Sequence, residues 1–453
     1  MRHWRLKSLL ALTLASQALS LTAAEPRIIR PVAIQAPAKE SIVAPAKEPG
    51  TAPAELPAPN NEPVERLPQP WNLAHLTSLT DENNPVLRRD LARVEAAQGV
   101  AVQARLWPNP RIDSGNPQQL ASYSSVYSTG FIQTIVTKGK LRLDQAAALE
   151  GVRMSELTYQ QDRYEVIRAV RQQFYETLSG QVRMQVLQRM KTIVNDSLST
   201  AIKLEKGGEG NHTDVLLLGI EARRVELALQ NVQTLLKGSR RQLAAQVGIP
   251  EMEIGQVVGN LKLAPPAFDE QALRDFLSTQ NVQLLFSQVD IGRRQILLRR
   301  AQVEPFPNID TGLGYQYALT PYHNQGLVYL AAPLPLWNRN QGNIRAATAN
   351  VSEAEQSMLV VRNGLINRGT DALARYNVTR EIAIQYEREI LPKANEALKL
   401  ALDGYRKGEF DFARFLQAQR VAIEAELNYI NNLETLWLTA AELGELMQLE
   451  EFP

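Results

Sequence analysis

The sequence predicts a mixed α/β tube built from long antiparallel helices and a few long strands, in two tandem halves. Three observations carry this. Val215, Ala222, Leu229, Leu236 and Leu243 form an apolar line at seven-residue spacing, and Phe415, Ala422, Tyr429, Leu436 and Leu443 repeat it in the same register. Pro108-x-Pro110-x-Ile112-Asp113 is echoed 197 residues later by Pro305-x-Pro307-x-Ile309-Asp310, and Asn84 by Asn281 at the same offset. Between Asn308 and Leu319 the residues alternate strictly, with Ile309, Thr311, Leu313, Tyr315, Tyr317 and Leu319 on one side and small or polar residues on the other. Repeats at a fixed offset set architecture before any motif is weighed.

Composition frames these elements. The chain has 453 residues, 44% of them hydrophobic, and no cysteine. That excludes disulfides, thiolate metal sites and a lipid anchored on cysteine. Residues 1–24 read as a secretory signal: Arg2, Arg5 and Lys7 precede the apolar run Ser8 to Leu21, and Thr22-Ala23-Ala24 supplies small residues for cleavage. Without it, 46 basic residues face 48 acidic ones, a balance that disfavours nucleic acid as a partner. Residues 25–70 contain 11 prolines among Ala, Glu and Lys. This spacer is too polar to bury and is expected to be a disordered, extended tether.

The first half is expected over 71–260. A short helix is assigned to Asn72 to Leu79, and Asn84-Pro85 opens another that reaches about Leu106, since proline suits a first helical position. Pro108 and Pro110 end it. Arg111 to Thr137 reads as a pair of strands. From Lys140 to about Lys206 there is no proline and only two glycines, which predicts one helix of about 65 residues, roughly 100 Å long. Gly207 to Gly210 breaks it, and a partner helix runs from Thr213 to Val247.

The second half, 261–453, repeats the order. Phe268 to Val303 is expected as one helix, closed by Pro305 and Pro307. After the alternating strand, Pro321 to Gly326 is expected to turn the chain and Leu327 to Leu336 to return it, giving strands within 308–336. A second very long helix is expected from Asn343 to about Arg406, a turn at Gly408, and a last helix from Phe412 to Gln448. Ordinary globular helices run about 10–14 residues, so these need neighbours along their length. The heptad lines supply the seam, beside a second line at Leu416, Ile423, Ile430 and Trp437.

The alternating strand is long enough to cross a bilayer at a tilt. Four such strands cannot close, and an open edge is not tolerated in lipid. Several chains must then share one barrel, most simply as a cyclic homo-oligomer. Two, three or four chains give about eight, twelve or sixteen strands.

The doubled order of helix, strands, long helix, turn and helix, from about Trp71 to Gln448, resembles the TolC-type outer-membrane efflux channels. The run from Pro333 through Leu334-Pro335-Leu336-Trp337-Asn338-Arg339-Asn340-Gln341-Gly342-Asn343 to Ile344 is similar to the strand-to-helix junction of the cobalt–zinc–cadmium (CzcC-like) subgroup. Gly139-Lys140-Leu141-Arg142 is read as its counterpart, set against Gly342-Asn343-Ile344-Arg345. The resemblance implies a membrane channel: a homotrimer with a twelve-stranded β-barrel in outer-membrane lipid and a periplasmic α-barrel of coiled-coil helices. It implies as partners a periplasmic adaptor protein and an inner-membrane pump of the resistance–nodulation–division type, with heavy-metal cations as cargo and no cofactor. Drugs, other organic solutes or secreted polypeptides are alternative cargoes for the same fold. A soluble periplasmic coiled-coil adaptor is an alternative from another class, against which the alternating strand counts.

In such channels the two helix turns are the periplasmic tips. Adaptor docking is therefore assigned to Gly207, Gly208, Glu209 and Thr213 in the first, and to Gly408, Glu409, Asp411 and Arg414 in the second. Turn and capping chemistry alone also explains these residue types. Asp214 and Tyr405 fall where relatives place a carboxylate and a phenol that link neighbouring tips, so they are the gate candidates. Phe410 lies where some relatives carry arginine, and Arg414 and Gln417 replace pore-lining acids, which weakens an anionic entrance ring. Trp107, Tyr315, Tyr317, Tyr322 and Trp337 flank the strands and are candidates for membrane-interface aromatics. His75, His212 and His323 lie in different elements, so no metal-ligand cluster is expected. There is no phosphate loop, H-E-x-x-H or Gly-x-Ser-x-Gly, and the chain is not expected to be an enzyme.

Overall fold

The computed structural model describes residues 71–115, 126–262, 266–319 and 322–452. The expected signal segment and Pro-rich spacer lie outside the described residues.

Asparagines open the first helices. Asn72 accepts from the His75 amide and starts α1 (Leu73–Asn83), and Asn84 accepts from the Val86 amide and starts α2 (Pro85–Ala104). An asparagine before the first turn satisfies an amide that has no helical partner. Two strands follow, β1 (Arg111–Gly115) and β2 (Val126–Ile135). Then α3 (Lys140–Lys206) runs without interruption for 67 residues, and α4 (His212–Val247) returns beside it.

The second half departs from the sequence expectation in four places. Phe268 to Val303 is not one helix but two, α5 (Glu270–Thr279) and α6 (Val282–Val303). Asn281 interrupts them: its side-chain carbonyl accepts from the Gln283 amide while its Nδ2 donates 3.0 Å to the Leu446 carbonyl. Asn84 does the same in the first half, donating 2.8 Å to the Gln246 carbonyl. The strands are β3 (Ile309–Leu319) and β4 (Tyr322–Ala331). Tyr322 through Gly326, expected as a turn, is paired strand, because its backbone continues the register that joins Leu319 to Tyr322 and Tyr315 to Gly326. The strand ends at Ala331 and not Leu336, since Pro333 and Pro335 cannot donate to a ladder. Finally, the expected unbroken helix from Asn343 is α7 (Gln341–Gln385), a single π-turn at Tyr386–Ile390, and α8 (Leu391–Arg406). Pro392 stands at the start of α8. It has no amide to bond the preceding turn, and one widened turn absorbs that break. The last helix is α9 (Phe412–Leu446).

The strands form one antiparallel sheet in the order β1-β2-β3-β4. The helices pack with α3 against α2, α4, α6 and α9, and with α9 against α7 and α8. Every member of the second heptad line is buried, and in the first Leu229, Leu236 and Leu243 are. The main core gathers where Trp437 stacks on Tyr175 at 4.6 Å and donates 2.8 Å to the Leu261 carbonyl. Gln181 donates to the Val257 carbonyl and accepts from its amide, which ties the connection after α4 to α3.

An ion-pair network joins α2 to α3. Arg89 contacts the buried Asp90 at 2.9 Å and Asp162 at 3.0 Å, and Arg93 reaches Asp90 at 2.8 Å. Burial opposes ionisation of Asp90, but the hydrogen bond from Arg89 and the charges of Arg89 and Arg93 outweigh it and hold the carboxyl below the usual range. Burial, and then the neighbouring Asp90, push Asp162 up to about 6.

Two outcomes follow from this packing. Asn281→Ala removes a cap and leaves the Leu446 carbonyl without its donor, and is expected to lower stability by about 1–2 kcal/mol in thermal unfolding of the detergent-solubilised protein. Asp162 binds its proton more tightly in the folded chain than in the unfolded one, so it stabilises the fold at low pH. That contribution is lost as pH rises from about 4 to about 6. The stability gap between Asp162→Asn and the native chain should therefore open in the variant's favour across this window; Asp90 acts in the opposite sense at lower pH. Parallel melting curves across the window would reveal no such gap if Asp162 titrated normally.

Candidate functional site

The two helix turns share one backbone. In the first, the Gly207 amide bonds the Lys203 carbonyl, Gly208 bonds Glu205, and Glu209 and Gly210 both bond Leu204. In the second, Lys407 bonds Asp403, Gly408 bonds Tyr405, and Glu409 and Phe410 both bond Gly404. Gly208 and Gly408 take φ of 78° and 74°, a left-handed conformation costly for other residues. Asn211 then caps α4 at the Thr213 amide, and Asp411 caps α9 at the Arg414 amide, both at 3.1 Å.

The turns differ by an exchange of size. Leu204 and Gly210 in the first become Gly404 and Phe410 in the second, and the Phe410 ring lies against Gly404 in the space a Cβ would take. Arg414 holds its guanidinium 4.8 Å over that ring, a cation–π contact. His212 is exposed and bonds Glu205 at 2.6 Å.

Among the gate candidates, Tyr405 stacks on Phe415 at 5.4 Å and sits 6.0 Å from Phe412. Burial, then the charge of Asp214, raise its phenol above the usual range. Asp214 occupies the first turn of α4, where a carboxylate suits the helix dipole; burial raises its own pKa. The two side chains thus feel each other electrostatically within one chain, though no hydrogen bond joins them among the described residues. Gly207, Gly208, Glu209 and Thr213 are exposed around the first turn, as are Gly408, Glu409 and Arg414 around the second.

At the other end, strand pairing sorts the sheet into two faces. Phe131 pairs with Leu313 and Leu313 with Val328, while Thr311 pairs with Leu330, Thr129 with Tyr315, and Tyr127 with Tyr317. Directly paired residues share a face, so one face carries Phe131, Leu313, Val328 and Leu330 with a row of tyrosines. Val328 is 82% exposed and Leu330 74%. The opposite face is mixed: Thr134 bonded to Asp310 at 2.6 Å, with Arg111 at 3.8 Å from Asp310, then Ile132, Gly312 and Tyr329, then Gly130, Gly314 and Leu327, then Ser128, Gln316 and Gln325, with Val126 beyond. Gly312 lets β2 and β3 approach, because a Cβ there would strike the Phe131 carbonyl.

Where sheet meets helices, Thr137 bonds the Pro307 carbonyl and the buried Lys140 reaches Asn308 at 3.2 Å and Glu304 at 3.5 Å. Helices α3 and α7 both begin after a left-handed residue, Gly139 (φ 65°) and Asn340 (φ 59°). Gly139 therefore stands opposite Asn340, and the sequence pairing of Gly139 with Gly342 is two residues out of step. Trp337 and Trp107 are exposed at this level, with Leu334 and Leu336. Tyr315 is exposed and Tyr317 half-buried on the sheet; the side chain of Tyr322 lies outside the described residues. Sequence reasoning missed Arg420, which bonds the buried Glu221 at 3.2 Å, because residues 199 positions apart carry no local pattern.

Among the described residues no group of three acids or histidines is placed to hold a metal ion. No described helix is long and apolar enough to cross a membrane.

Comparisons with known proteins agree with this geometry. Residues 277–447 match the outer membrane efflux protein family. The chain is 24% identical over 379 residues to the cobalt-zinc-cadmium resistance protein CzcC of Cupriavidus metallidurans, covering 83% of this chain and 90% of that one. Among solved structures it resembles the outer-membrane channel OprN (TM-score 0.71, 17% identity, 89% of this chain and 98% of that one). It also resembles the outer membrane protein VceC of Vibrio cholerae (TM-score 0.70, 17% identity, 83% and 95%). The fold is that of a TolC-type outer-membrane channel.

The two faces of the sheet should respond differently to charge. Val328→Lys on the apolar face is expected to cost about 2–4 kcal/mol at bilayer depth and to cut the amount of protein recovered in outer membranes. Gln325→Lys, three residues away on the opposite face, should leave that amount unchanged; equal loss in both variants would contradict the assignment of faces.

Proposed function

We propose that this chain, whose residues 277–447 match the outer membrane efflux protein family, is the passive exit duct of a tripartite efflux system. The carrying observation is the sheet: one apolar and exposed face, an opposite face where Arg111, Asp310, Thr134, Ser128 and Gln316 stand with Ile132, Leu327 and Tyr329, and two outer strands, β1 and β4, with no partner beyond them among the described residues. Three copies of four strands close a barrel of about twelve, within the range of outer-membrane barrels. Helix α3, with 67 residues, extends about 100 Å from the sheet, a length suited to reach across a periplasm. The exposed tips then meet a periplasmic adaptor, and a resistance–nodulation–division type pump supplies the energy. No active site is required for this work. A lumen of polar side chains and a tip that opens are sufficient.

The cargo we propose is heavy-metal cations. Support comes from the similarity to a cobalt-zinc-cadmium resistance protein across most of both chains. Conduction does not need a binding site, which agrees with the scattered histidines. Growth of a deletion strain on zinc, cobalt and cadmium, with drug gradients alongside, separates this cargo from organic solutes.

Gating is assigned to Asp214 and Tyr405. Burial, then the charge of Asp214, favour a Tyr405 phenol that stays protonated and can donate to a carboxylate. Each such bond is modest, but symmetry repeats it around the ring. Asp214→Ala combined with Tyr405→Phe should raise single-channel conductance severalfold in planar bilayers. Conductance equal to that of the native protein would remove these two residues from the gate.

A further inference from the structure

The tip holds its own hydrophobic cluster, distinct from the main core. Leu218 of α4, Leu398 of α8 and Phe412, Phe415 and Leu416 of α9 form it. Tyr386, in the π-turn, packs against both clusters and stacks on Tyr429. The tip is therefore a separately packed block that begins at the one widened turn in the long helices.

Two polar features interrupt this block. Glu221 of α4 is buried and is bonded by Arg420 of α9 at 3.2 Å, with Arg224 at 3.7 Å. This pair joins the first helical hairpin to the second. Beside it in sequence, Gln419 is fully buried on the apolar seam of α9, between Phe415 and Ala422. Neither its Oε1 nor its Nε2 has a hydrogen-bond partner among the described residues.

We infer that Glu221 and Arg420 act as a latch between the hairpins and that Gln419 acts against it, so that the two together set how readily the packed tip opens. The inference rests on reading the chain as a gated duct and deepens it. A buried amide without partners is costly, because it has given up water and received nothing in return. Separation of the hairpins lets water reach Gln419 and recovers that cost. The same separation breaks the Arg420–Glu221 bond, a charge-assisted contact whose carboxylate is buried while the Arg420 side chain stays 43% exposed. An adaptor that pulls on the exposed turns must also part the apolar cluster, a cost that the Gln419 amide lowers and the Arg420–Glu221 bond raises. These are positioning residues: they do not touch cargo, and they set how readily the tip opens.

The test uses the purified full-length protein in planar bilayers, with thermal unfolding measured on the same preparations. Gln419→Met keeps the volume and removes the unpaired amide; it should lower the fraction of time spent open about tenfold and raise the melting temperature. Arg420→Gln should raise the open fraction about tenfold, and Arg420→Lys should restore much of the native behaviour. A Gln419→Met protein that melts higher but gates normally shows a purely structural residue and overturns the inference. Normal gating in Arg420→Gln overturns it as well. The Asp214→Ala, Tyr405→Phe protein serves as the control. If it conducts while the new variants gate normally, only the latch is lost; if no variant conducts at all, the duct reading falls and the latch with it.

Discussion

A strand edge in hydrocarbon has no water to satisfy its amides and carbonyls, and this constraint governs the molecule. The sheet has four strands, β1 and β4 have free outer edges among the described residues, and one face is apolar and exposed. Such a sheet is incomplete alone. Each unsatisfied backbone group in lipid costs several kcal/mol, so closure with other copies is the arrangement that removes the penalty. The helices follow from it, because any ring of sheets places α3 and α7 in a ring below.

Those helices are far too long to stand singly. They are held by seams whose apolar residues recur every seven positions, and by polar contacts that fix the seams in register. Asn84 and Asn281 each cap one helix and reach a carbonyl at the end of another, so each ties the end of one column to the start of the next. At the far end, two turns with the same hydrogen bonds carry opposite packing, a leucine facing a glycine in one and a glycine facing a phenylalanine in the other. A shared backbone thus supports two different surfaces.

The tip carries its own polar contacts. Burial, then the charge of Asp214, raise the Tyr405 phenol, burial raises Asp214, and Glu221 is held by Arg420 slightly further in. Along the body, α3 and α9 are also joined by Arg168–Glu445 at 2.7 Å and Arg183–Glu434 at 2.8 Å, beside the packed rings of Trp437, Tyr175 and Phe452. Polar ties therefore run the length of the contact between the hairpins, and the tip differs in adding the buried, unpartnered amide of Gln419.

The sequence by itself determined the periodic features. Heptads, strand alternation and glycine turns are local patterns, and the long span of α3 was legible because nothing in Lys140 to Lys206 can break a helix. The faces of β3 were legible for the same reason. Only the tertiary structure decided where a helix was interrupted by a contact and not by composition. Asn281 divides α5 from α6 because Leu446 waits to receive its amide. Tyr322 joins β4 because β3 offers it a partner, and Glu221 meets Arg420 because two heptad seams happen to align there. Periodicity is written along the chain, whereas a partner's position is set only when distant segments pack.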